Sequence, residues 1–447
     1  MDTPKEENVT GFFNSNTAKM IMVGLLTLIL LIPLQFVKNL IEERALRQKE
    51  VISETGEKWG ESVYFYGPIV KVPYKTYTET ISVNEKTNEK TTEKTAATEY
   101  AYFFPDELKN NSSVQTKVLK RSNYESVVFT SDMKFQGQYS KPDFSSKNIP
   151  DADILWDKAT ILIRTTNLKS IRDEVKINLG GASYTFEPVY STKKDSVEAL
   201  ETGFLNAAAF QAGGVPFQFK MVYNGSQQIK IVPIGKTTTA KMTSNWHSPK
   251  FDGNFLPDDK SKKISDKGFE ADWKILHINR AFSQQSFEFL PDLEKFAFGV
   301  DFIIPVNQYQ QNERAAKYGF LVIGLTFLIF FLIQSISKIK IHIFQYSMIG
   351  LALIMFYTLL ISITEHSSFL KAYLISGIGV VLMISLYSVS ILKNRKFPAF
   401  IGTSLTVLYA FIYVIIQLEN YALLFGSIGL FLILGAVMYC SRKIDWN

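Results

Sequence analysis

The apolar residues of this chain are gathered into one long run near the N-terminus and five further runs after residue 317, with a long and mostly polar stretch between them. A helix rises about 1.5 Å per residue, so about 20 apolar residues are needed to cross a hydrocarbon core about 30 Å thick. Each of the six runs reaches or approaches that length. We therefore predict a membrane protein that holds one large domain in water, and the apolar content of 47% is an average over two solvents.

Six membrane spans are predicted from these runs. The first covers residues 18–37, and a five-helix bundle over residues 318–441 contains the others, at residues 318–336, 346–363, 369–392, 399–418 and 421–439. A cleaved signal peptide is the alternative for the first run. We favour an uncleaved anchor, because residues 1–17 carry acidic side chains and no small-residue cleavage motif follows Phe36.

The basic residues of the short links indicate the orientation. The links at residues 365–368 and 419–420 contain no Lys or Arg, whereas the alternate links and the tail contain Lys338, Lys340, Lys393, Arg395, Lys396, Arg442 and Lys443. The positive-inside rule places these on the cytoplasmic side, together with both termini, residues 1–17 and 442–447. Residues 38–317 then lie outside the cytoplasm. Basic residues just after the first span weakly favour the reverse, but long domains are translocated largely regardless of charge.

The exported stretch changes its pattern near Val63. Before it, residues 41–59 are rich in helix formers and predict a stalk that continues the first helix. After it, apolar and polar residues alternate between recurring Gly and Pro, which is typical of strands. Residues 76–104 predict two strands with a charged tip at residues 85–94, and residues 224–226 predict a turn. The predicted fold class is an α+β membrane protein with an antiparallel, β-sandwich-like domain.

Catalytic motifs are absent from the sequence. It contains neither a HExxH zinc helix nor a GxSxG nucleophile elbow. Ser244 or Ser248, His247 and Asp252 have the residue types of a nucleophilic triad, but residues so close on one segment rarely converge on a single proton path. The string IGKTT lacks the first glycine of a phosphate loop. We predict no catalytic residue and no enzymatic activity.

Metals, disulfides and nucleic acid are also disfavoured. Cys440, the single cysteine, falls in the last span, so the exported domain has no disulfide and no Cys-based zinc site. The net charge of +6 is spread over interleaved Lys and Glu rather than a clustered basic face. We predict no metal site, no cofactor and no nucleic-acid partner.

The spans themselves carry no ionisable residue near their centres. Ionisable side chains at span ends are Glu365, His366, Lys371 and Glu419. The neutral polar residues Gln334, Ser376, Ser385, Thr406 and Gln417 predict hydrogen bonds between packed helices, and close helix approach is predicted at Gly324, Gly350, Gly377, Gly379, Gly426 and Gly429. A coupled carrier usually places ionisable groups inside the bilayer, so this pattern disfavours transport.

Six strings follow one another along the chain: WGESVYFYGPIVKVPY from Trp59, SNWHSPKFDGNFLP from Ser244, GFEADW from Gly268, RAAKYGFLVIGLTFLIFFL from Arg314, QYSMIGLALIMFYTLL and EHSSFLKAYLI. In this order they resemble the CreD family of bacterial inner-membrane proteins. The resemblance implies a large periplasmic domain and a role in cell-envelope integrity and stress response, with no established catalytic mechanism. The sequence departs from it at Asn307, Gln334 and Ile343, where Asp, Glu and Pro are more usual.

Two candidate sites remain. One is a loop whose Trp, Phe, Pro and Gly residues either close a sandwich core or form a recognition surface for an envelope component or a partner protein: Trp246, Pro249, Phe251, Gly253, Phe255 and Pro257. The other is a membrane-interface junction in which cationic and aromatic side chains would reach the headgroups: Tyr309, Arg314, Lys317 and Tyr318.

The predicted function is that of a multi-pass inner-membrane protein of envelope integrity, which acts as a binding, scaffolding or sensing module through its periplasmic domain. The alternative is a transporter or channel component whose periplasmic domain collects substrate. Its predicted partners are the lipid bilayer and an envelope component or protein that the sequence does not identify. The oligomeric state also stays open.

Overall fold

Two compact units make up the chain. The computed structural model describes residues 16–83, 90–189, 198–206, 210, 213–304, 308–337, 339–392, 396–418 and 421–442. The described residues of Met1–Lys49 and Val306–Asn447 form one unit, here called the membrane unit, and those of Glu50–Pro305 form the other, here called the β unit. The predicted fold class, a β domain inserted between one N-terminal and five C-terminal membrane helices, is confirmed.

Seven α-helices of four or more residues are described, and six of them are long and apolar enough to cross a membrane. The long helices are α1 (Asn16–Trp59), α3 (Gly319–Ser337), α4 (Ile343–Thr364), α5 (Phe369–Leu392), α6 (Lys396–Gln417) and α7 (Ala422–Ser441), and the short one is α2 (Gln308–Lys317). The predicted stalk is helical, since α1 continues to Trp59. Residues 308–317, which the sequence assigned to the β-rich domain, instead form α2 within the membrane unit.

Helix α4 begins three residues before the predicted span because its N-terminus is capped. The backbone N–H of Phe344 donates to Nδ1 of His342 (3.2 Å), and the His342 N–H donates to the side chain of Gln345 (2.9 Å). This reciprocal arrangement satisfies groups that a helix start leaves without partners. Ile343 is the first residue of the helix, a position that Pro favours and other residues tolerate. Of the other two departures from the family pattern, Gln334 lies in α3 and Asn307 falls outside the described residues.

Helix α1 packs into the membrane unit through one face. Leu30, Leu34, Val37 and Ile41 are buried, at spacings of three and four residues. Two glycines receive this face. A Cβ built on Gly319 would lie 2.8 Å from Leu34, and one built on Gly350 would collide with Leu30 and lie 2.9 Å from Phe327.

The predicted close approaches at glycines are therefore confirmed at some positions only. Gly350 and Gly429 each contact a side chain of a neighbouring helix, whereas a Cβ on Gly324 or Gly379 would meet nothing within 4 Å. Glycine itself does not decide the packing, because its effect depends on whether a neighbour fills the space above it.

The β unit contains 16 described strands. They are β1 (Val63–Val83), β2 (Lys90–Phe103), β3 (Glu107–Arg121), β4 (Tyr124–Tyr139), β5 (Thr160–Thr165), β6 (Lys176–Leu179), β7 (Ala182–Val189), β8 (Glu198–Thr202), β9 (Val215–Ser226), β10 (Gln228–Ile231), β11 (Thr237–Ser244), β12 (Lys250–Gly253), β13 (Lys263–Ser265), β14 (Gly268–Leu276), β15 (Gln285–Phe287) and β16 (Phe298–Asp301).

The strands form two layers joined through β7. The first has the order β12-β16-β10-β1-β5-β8-β7, with β2 paired to β1 and β15 paired to β2, and the second has the order β6-β9-β4-β3-β11-β14-β13. Aromatic side chains fill the space between them. Phe65 of β1 stacks on Phe135 of β4 with ring centroids 4.2 Å apart, and Phe298 of β16 lies 5.4 Å from Trp273 of β14. This is a sandwich core, in which two inner faces interdigitate.

All described pairings are antiparallel except two. β1 pairs in parallel with β10, and β3 with β11. Parallel neighbours need a long connection, and these pairs are far apart in the sequence. The predicted strands at residues 76–104 are confirmed, because β1 and β2 pair from Val70↔Phe103 to Val83↔Lys90. Part of their predicted tip, residues 84–89, lies outside the described residues.

The predicted turn at residues 224–226 is wrong. These residues belong to β9, and the chain leaves the strand at Gln227, whose φ is 64°. Gly225 is needed for packing rather than for a turn, since a Cβ there would collide with the ring of Phe129 and lie 2.9 Å from Val63. β9 pairs with β4 and β6, whereas β10 pairs with β1 and β16, so the two segments do not form a hairpin.

We expect Gly350→Leu to destabilise the membrane unit, because the new side chain would occupy space filled by Leu30 and Phe327. Overpacking of this kind costs about 1–3 kcal/mol. The matched control is Gly324→Leu, which adds the same side chain where nothing lies within 4 Å. Thermal unfolding of the purified chain in detergent should show a lower midpoint for the first variant only; equal midpoints would contradict this packing.

Candidate functional site

The predicted loop begins with a tryptophan that belongs to the core. Trp246 is 6% exposed, its indole Nε1 donates to the Ser248 carbonyl (2.9 Å), and its backbone N–H donates to Ser244 Oγ (3.2 Å). For this residue, burial supports the interpretation that the loop closes the sandwich core. A role of Trp246 in recognition would have to act through the shape of the loop.

The rest of the loop is also fixed. Phe251 packs edge to face against Trp273 at 5.9 Å between centroids, and the Trp273 indole donates to the Phe255 carbonyl (3.2 Å). Gly253 has a φ of +103°, and a Cβ there would collide with the Ala297 carbonyl, so only glycine fits without strain. Pro249 is half-buried and Pro257 is buried. The loop is thus a rigid feature of the β unit.

Leu256, which the sequence did not single out, is the large apolar side chain of this loop that is exposed. It is 72% exposed, between Phe255 and the buried Pro257. A single exposed Leu is ordinary on a surface. Here it stands on a rigid segment beside a cleft, and this placement makes it the best candidate for a contact residue. The sequence marks Leu256 only by its apolar side chain and by its place between two residues of the predicted loop, Phe255 and Pro257.

The cleft beside the loop has a volume of about 590 Å³. Two lysines, two acidic residues and three neutral residues line it: Lys230, Lys295, Asp292, Glu294, Gly253, Asn254 and Ala297. The mixture of ammonium and carboxylate groups suits a ligand that both donates and accepts hydrogen bonds better than a simple anion. Gly253 and Asn254 connect this cleft to the predicted loop.

Ion pairs hold β12 at the edge of its sheet. Lys230 Nζ lies 2.8 Å from Asp252 Oδ2, and Lys250 Nζ lies 3.2 Å from Asp301 Oδ2 and 3.8 Å from Asp252 Oδ1. The hydrogen bond from Lys230 lowers the pKa of Asp252 below its ordinary value. Both carboxylate oxygens of Asp252 are therefore paired with lysines. Ser244 accepts from the Trp246 backbone and His247 is exposed, so the three residue types of the imagined triad have separate surroundings.

The predicted membrane-interface residues divide into two pairs. Tyr309 is 7% exposed, and the Arg314 guanidinium donates to the Ile416 carbonyl at 3.5 Å, so both pack within the membrane unit. Lys317 is exposed and pairs with Glu313 (2.7 Å), and Tyr318 is half-buried. The interfacial role of these residues stays a prediction, for which Lys317 and Tyr318 have the more suitable exposure.

Polar groups gather where α2 meets α4. Asn312 is fully buried and accepts a long hydrogen bond from Thr364 Oγ1 (3.4 Å). The next residue, Glu365, pairs with Arg44 of α1 at 3.4 Å. The sequence placed Glu365 at a span end and did not single out Asn312, whose burial follows from the unpredicted helix α2.

Deeper in the membrane unit, an aromatic cluster contains buried hydroxyls. The ring of Phe356 lies 4.9 Å from Tyr357 and 4.6 Å from Tyr409. The hydroxyls of Tyr357, Tyr409 and Ser376 are buried and have no hydrogen-bond partner among the described residues. Such groups are uncommon in folded proteins, where most buried polar atoms are paired.

The predicted interhelical hydrogen bonds are confirmed at Gln334 but not throughout. The Tyr346 hydroxyl donates to Gln334 Oε1 (2.8 Å) between α4 and α3. Thr406, by contrast, donates to Gly402 of its own helix (2.8 Å), and Ser376 has no described partner. A hydroxyl in a helix reaches the carbonyl four residues earlier, so its interhelical bond is optional.

We expect Asp252→Asn to reduce the stability of the β unit at neutral pH by less than about 1 kcal/mol, because its ion pair with Lys230 is partly exposed. A lowered carboxyl pKa stabilises the fold above the ordinary value of 3.8, and this stabilisation is lost as the pH falls through the folded-state pKa. The difference between wild type and variant should therefore vanish in acid.

Urea unfolding of the whole chain in detergent, followed by tryptophan fluorescence, would measure this difference, since four of the five tryptophans lie in the β unit. Asp266→Asn is the control, at an exposed position outside the network. A difference that persists well below the folded-state pKa of Asp252, which is itself lower than 3.8, would exclude the ion pair as its cause.

The comparisons with known proteins agree with this architecture. The family model described as "Inner membrane protein CreD" matches residues 15–447. The inner membrane protein CreD of Escherichia coli (strain K12) is 26% identical over 426 residues, which cover 94% of this chain and 91% of that protein. The match thus extends over both units, and the chain belongs to the CreD family of inner membrane proteins.

Proposed function

We propose that this protein acts in cell-envelope integrity as a binding, scaffolding or sensing module, with the β unit in the periplasm and both termini in the cytoplasm. Membership of the family and the six membrane-spanning helices support an inner-membrane location. The orientation rests on the basic residues, which fall in alternate links and in the tail. The proposal includes no catalytic step, no cofactor and no metal.

The orientation predicts an accessibility pattern. In a Cys440→Ser background, a membrane-impermeant thiol reagent added to spheroplasts should label a cysteine at Glu85 and should leave one at Asn394 unlabelled until the membrane is opened. Both positions lie outside the described residues, and they are chosen from the sequence alone. Labelling of both from the same side would overturn the arrangement.

The observation that carries the binding role is the rigid loop with Leu256 at its exposed part and the 590 Å³ cleft at its base. A loop held by buried aromatics and by a glycine at positive φ loses little conformational entropy when it binds. A partner would place an apolar group on Leu256 and polar groups in the cleft.

The membrane unit supports binding over transport. The buried polar side chains in its described spans are neutral: Thr326, Gln334, Thr364, Ser376 and Ser388. Proton- or ion-coupled carriers usually present ionisable groups to a polar path within the bilayer. The bundle therefore has the character of an anchor, and the function is assigned to the β unit.

Photo-crosslinking in living cells tests the binding role. A photoreactive amino acid at Leu256 should capture a defined envelope component, whereas the same amino acid at Phe204, which is 66% exposed, should not. Gly253→Val, which strains the loop, should reduce capture from Leu256 while the protein still reaches the membrane. Identical products from Leu256 and Phe204, or undiminished capture in the Gly253 variant, would remove the assignment.

A further inference from the structure

A groove of about 910 Å³ runs along the membrane unit between α3, α6 and α7. Its walls are aliphatic and aromatic side chains, among them Leu325, Ile329, Ile336, Phe400, Leu408 and Ile433. Helix α7 forms one wall although none of its described residues is buried. The groove is therefore a built concavity on the side of the bundle that α7 covers only loosely.

The groove extends from one membrane surface to about the midplane. Its lining runs from Ser337 to Leu325 on α3, from Lys396 to Phe411 on α6 and from Cys440 to Gly429 on α7. These intervals of 12, 15 and 11 residues are about 16–23 Å along a helix, compared with about 15 Å for half of the hydrocarbon core. At its inner end α6 and α7 touch, because a Cβ on Gly429 would collide with Phe411. A chain that enters from one membrane surface would fill the groove and stop near the midplane.

The end of the groove at the membrane surface is polar and basic. Lys396, Ser337 and Cys440 line it at the ends of the three helices. The sequence adds further basic residues next to the same helix ends, namely Lys338, Lys340, Lys393, Arg395 and Arg442. At the opposite ends of these helices, residues 419–420 contain no Lys or Arg, and Arg314 and Lys317 precede α3. Basic groups beside a gap between transmembrane helices favour the headgroups of anionic lipids.

We infer that this groove binds an anionic phospholipid from the leaflet at the basic end, with its acyl chain along α3, α6 and α7 and its phosphate beside Lys396. The apolar walls fit hydrocarbon, the depth fits one leaflet, and the charge at the mouth fits a phosphate. A transmembrane helix from a second copy of the chain is the competing occupant. It would cross the midplane, whereas the contact between Gly429 and Phe411 closes the groove there.

The test uses the full chain, reconstituted in vesicles of equal amounts of phosphatidylglycerol and phosphatidylethanolamine and released for native mass spectrometry. Wild type should retain phosphatidylglycerol in preference to phosphatidylethanolamine. Lys396→Gln should reduce that preference about fivefold, the factor that one basic side chain supplies next to an anionic surface. Lys371→Gln, at the opposite end of the bundle, is the charge-matched control.

A second pair of variants tests the apolar part. Ala436→Phe fills the groove from α7 and should lower retention of either lipid, whereas Ala410→Phe adds the same ring at an exposed position of α6 that does not line it. Equal lipid preference in Lys396→Gln and Lys371→Gln would overturn the inference, even if a Phe variant failed to fold. If the wild type instead forms dimers without bound lipid, and Ala436→Phe dissociates these dimers, the inference is overturned and the groove binds a second copy of the chain.

Discussion

Hydrocarbon offers no hydrogen bonds to a backbone, and this constraint determines most of the structure. Every segment that crosses a membrane must satisfy its own N–H and C=O groups, which a helix does and an open sheet does not. The membrane-spanning helices and the strands are accordingly in different units, and only the end of α1, from Glu50 to Trp59, belongs to the β unit. Among the described residues of the membrane unit, the buried polar side chains are few and neutral. The hydroxyls of Tyr357 and Tyr409 stand out because hydrocarbon supplies no alternative partner.

Burial in the β unit is less constrained, because the backbone groups of its strands can form hydrogen bonds with water as well as with neighbouring strands. Arg280 shows how much a buried charge can organise there. It is 5% exposed, its guanidinium donates to the carbonyls of Ile234 (3.1 Å) and Gly235 (3.0 Å), and it lies 3.8 Å above the ring of Phe282. Burial lowers its pKa to about 10, so it stays charged at neutral pH. It joins the loop after β14 to the segment before β11.

The sequence predicted the features that depend on local pattern. The six spans, the helical stalk and the strands on either side of residues 84–89 follow from periodicity and length, which a single segment displays by itself. It could not predict features that depend on distant partners. Gly225 is a residue type common in turns, but here it leaves room for the ring of Phe129 on the neighbouring strand β4. In the same way, Lys230 is positioned at the cleft by its ion pair with Asp252, which is distant in the sequence.

The candidate site shows the same division. The loop from Trp246 to Pro257 was found from its residue types, whereas the burial of Trp246 and the exposure of Leu256 depend on how β12 and β14 meet. Likewise, helix α2 was missed because residues 308–317 lack the apolar length of a span, although Asn312, Ala315 and Ala316 are buried once it packs. A short helix of this kind is stabilised by the elements that it packs against, and its own hydrophobic pattern is too short to predict it.

The parallel pairing of β1 with β10 has a consequence for biosynthesis. Val63 pairs with Ile229, and Gln228 pairs with Asp301, so the first layer cannot close until nearly the whole β unit has been synthesised. At about 5–20 residues per second, the start of β1 waits roughly 8–30 s for β10. During that interval its unpaired edge is open to aggregation, and a holding chaperone that shields nascent strands would raise the yield of correctly assembled protein.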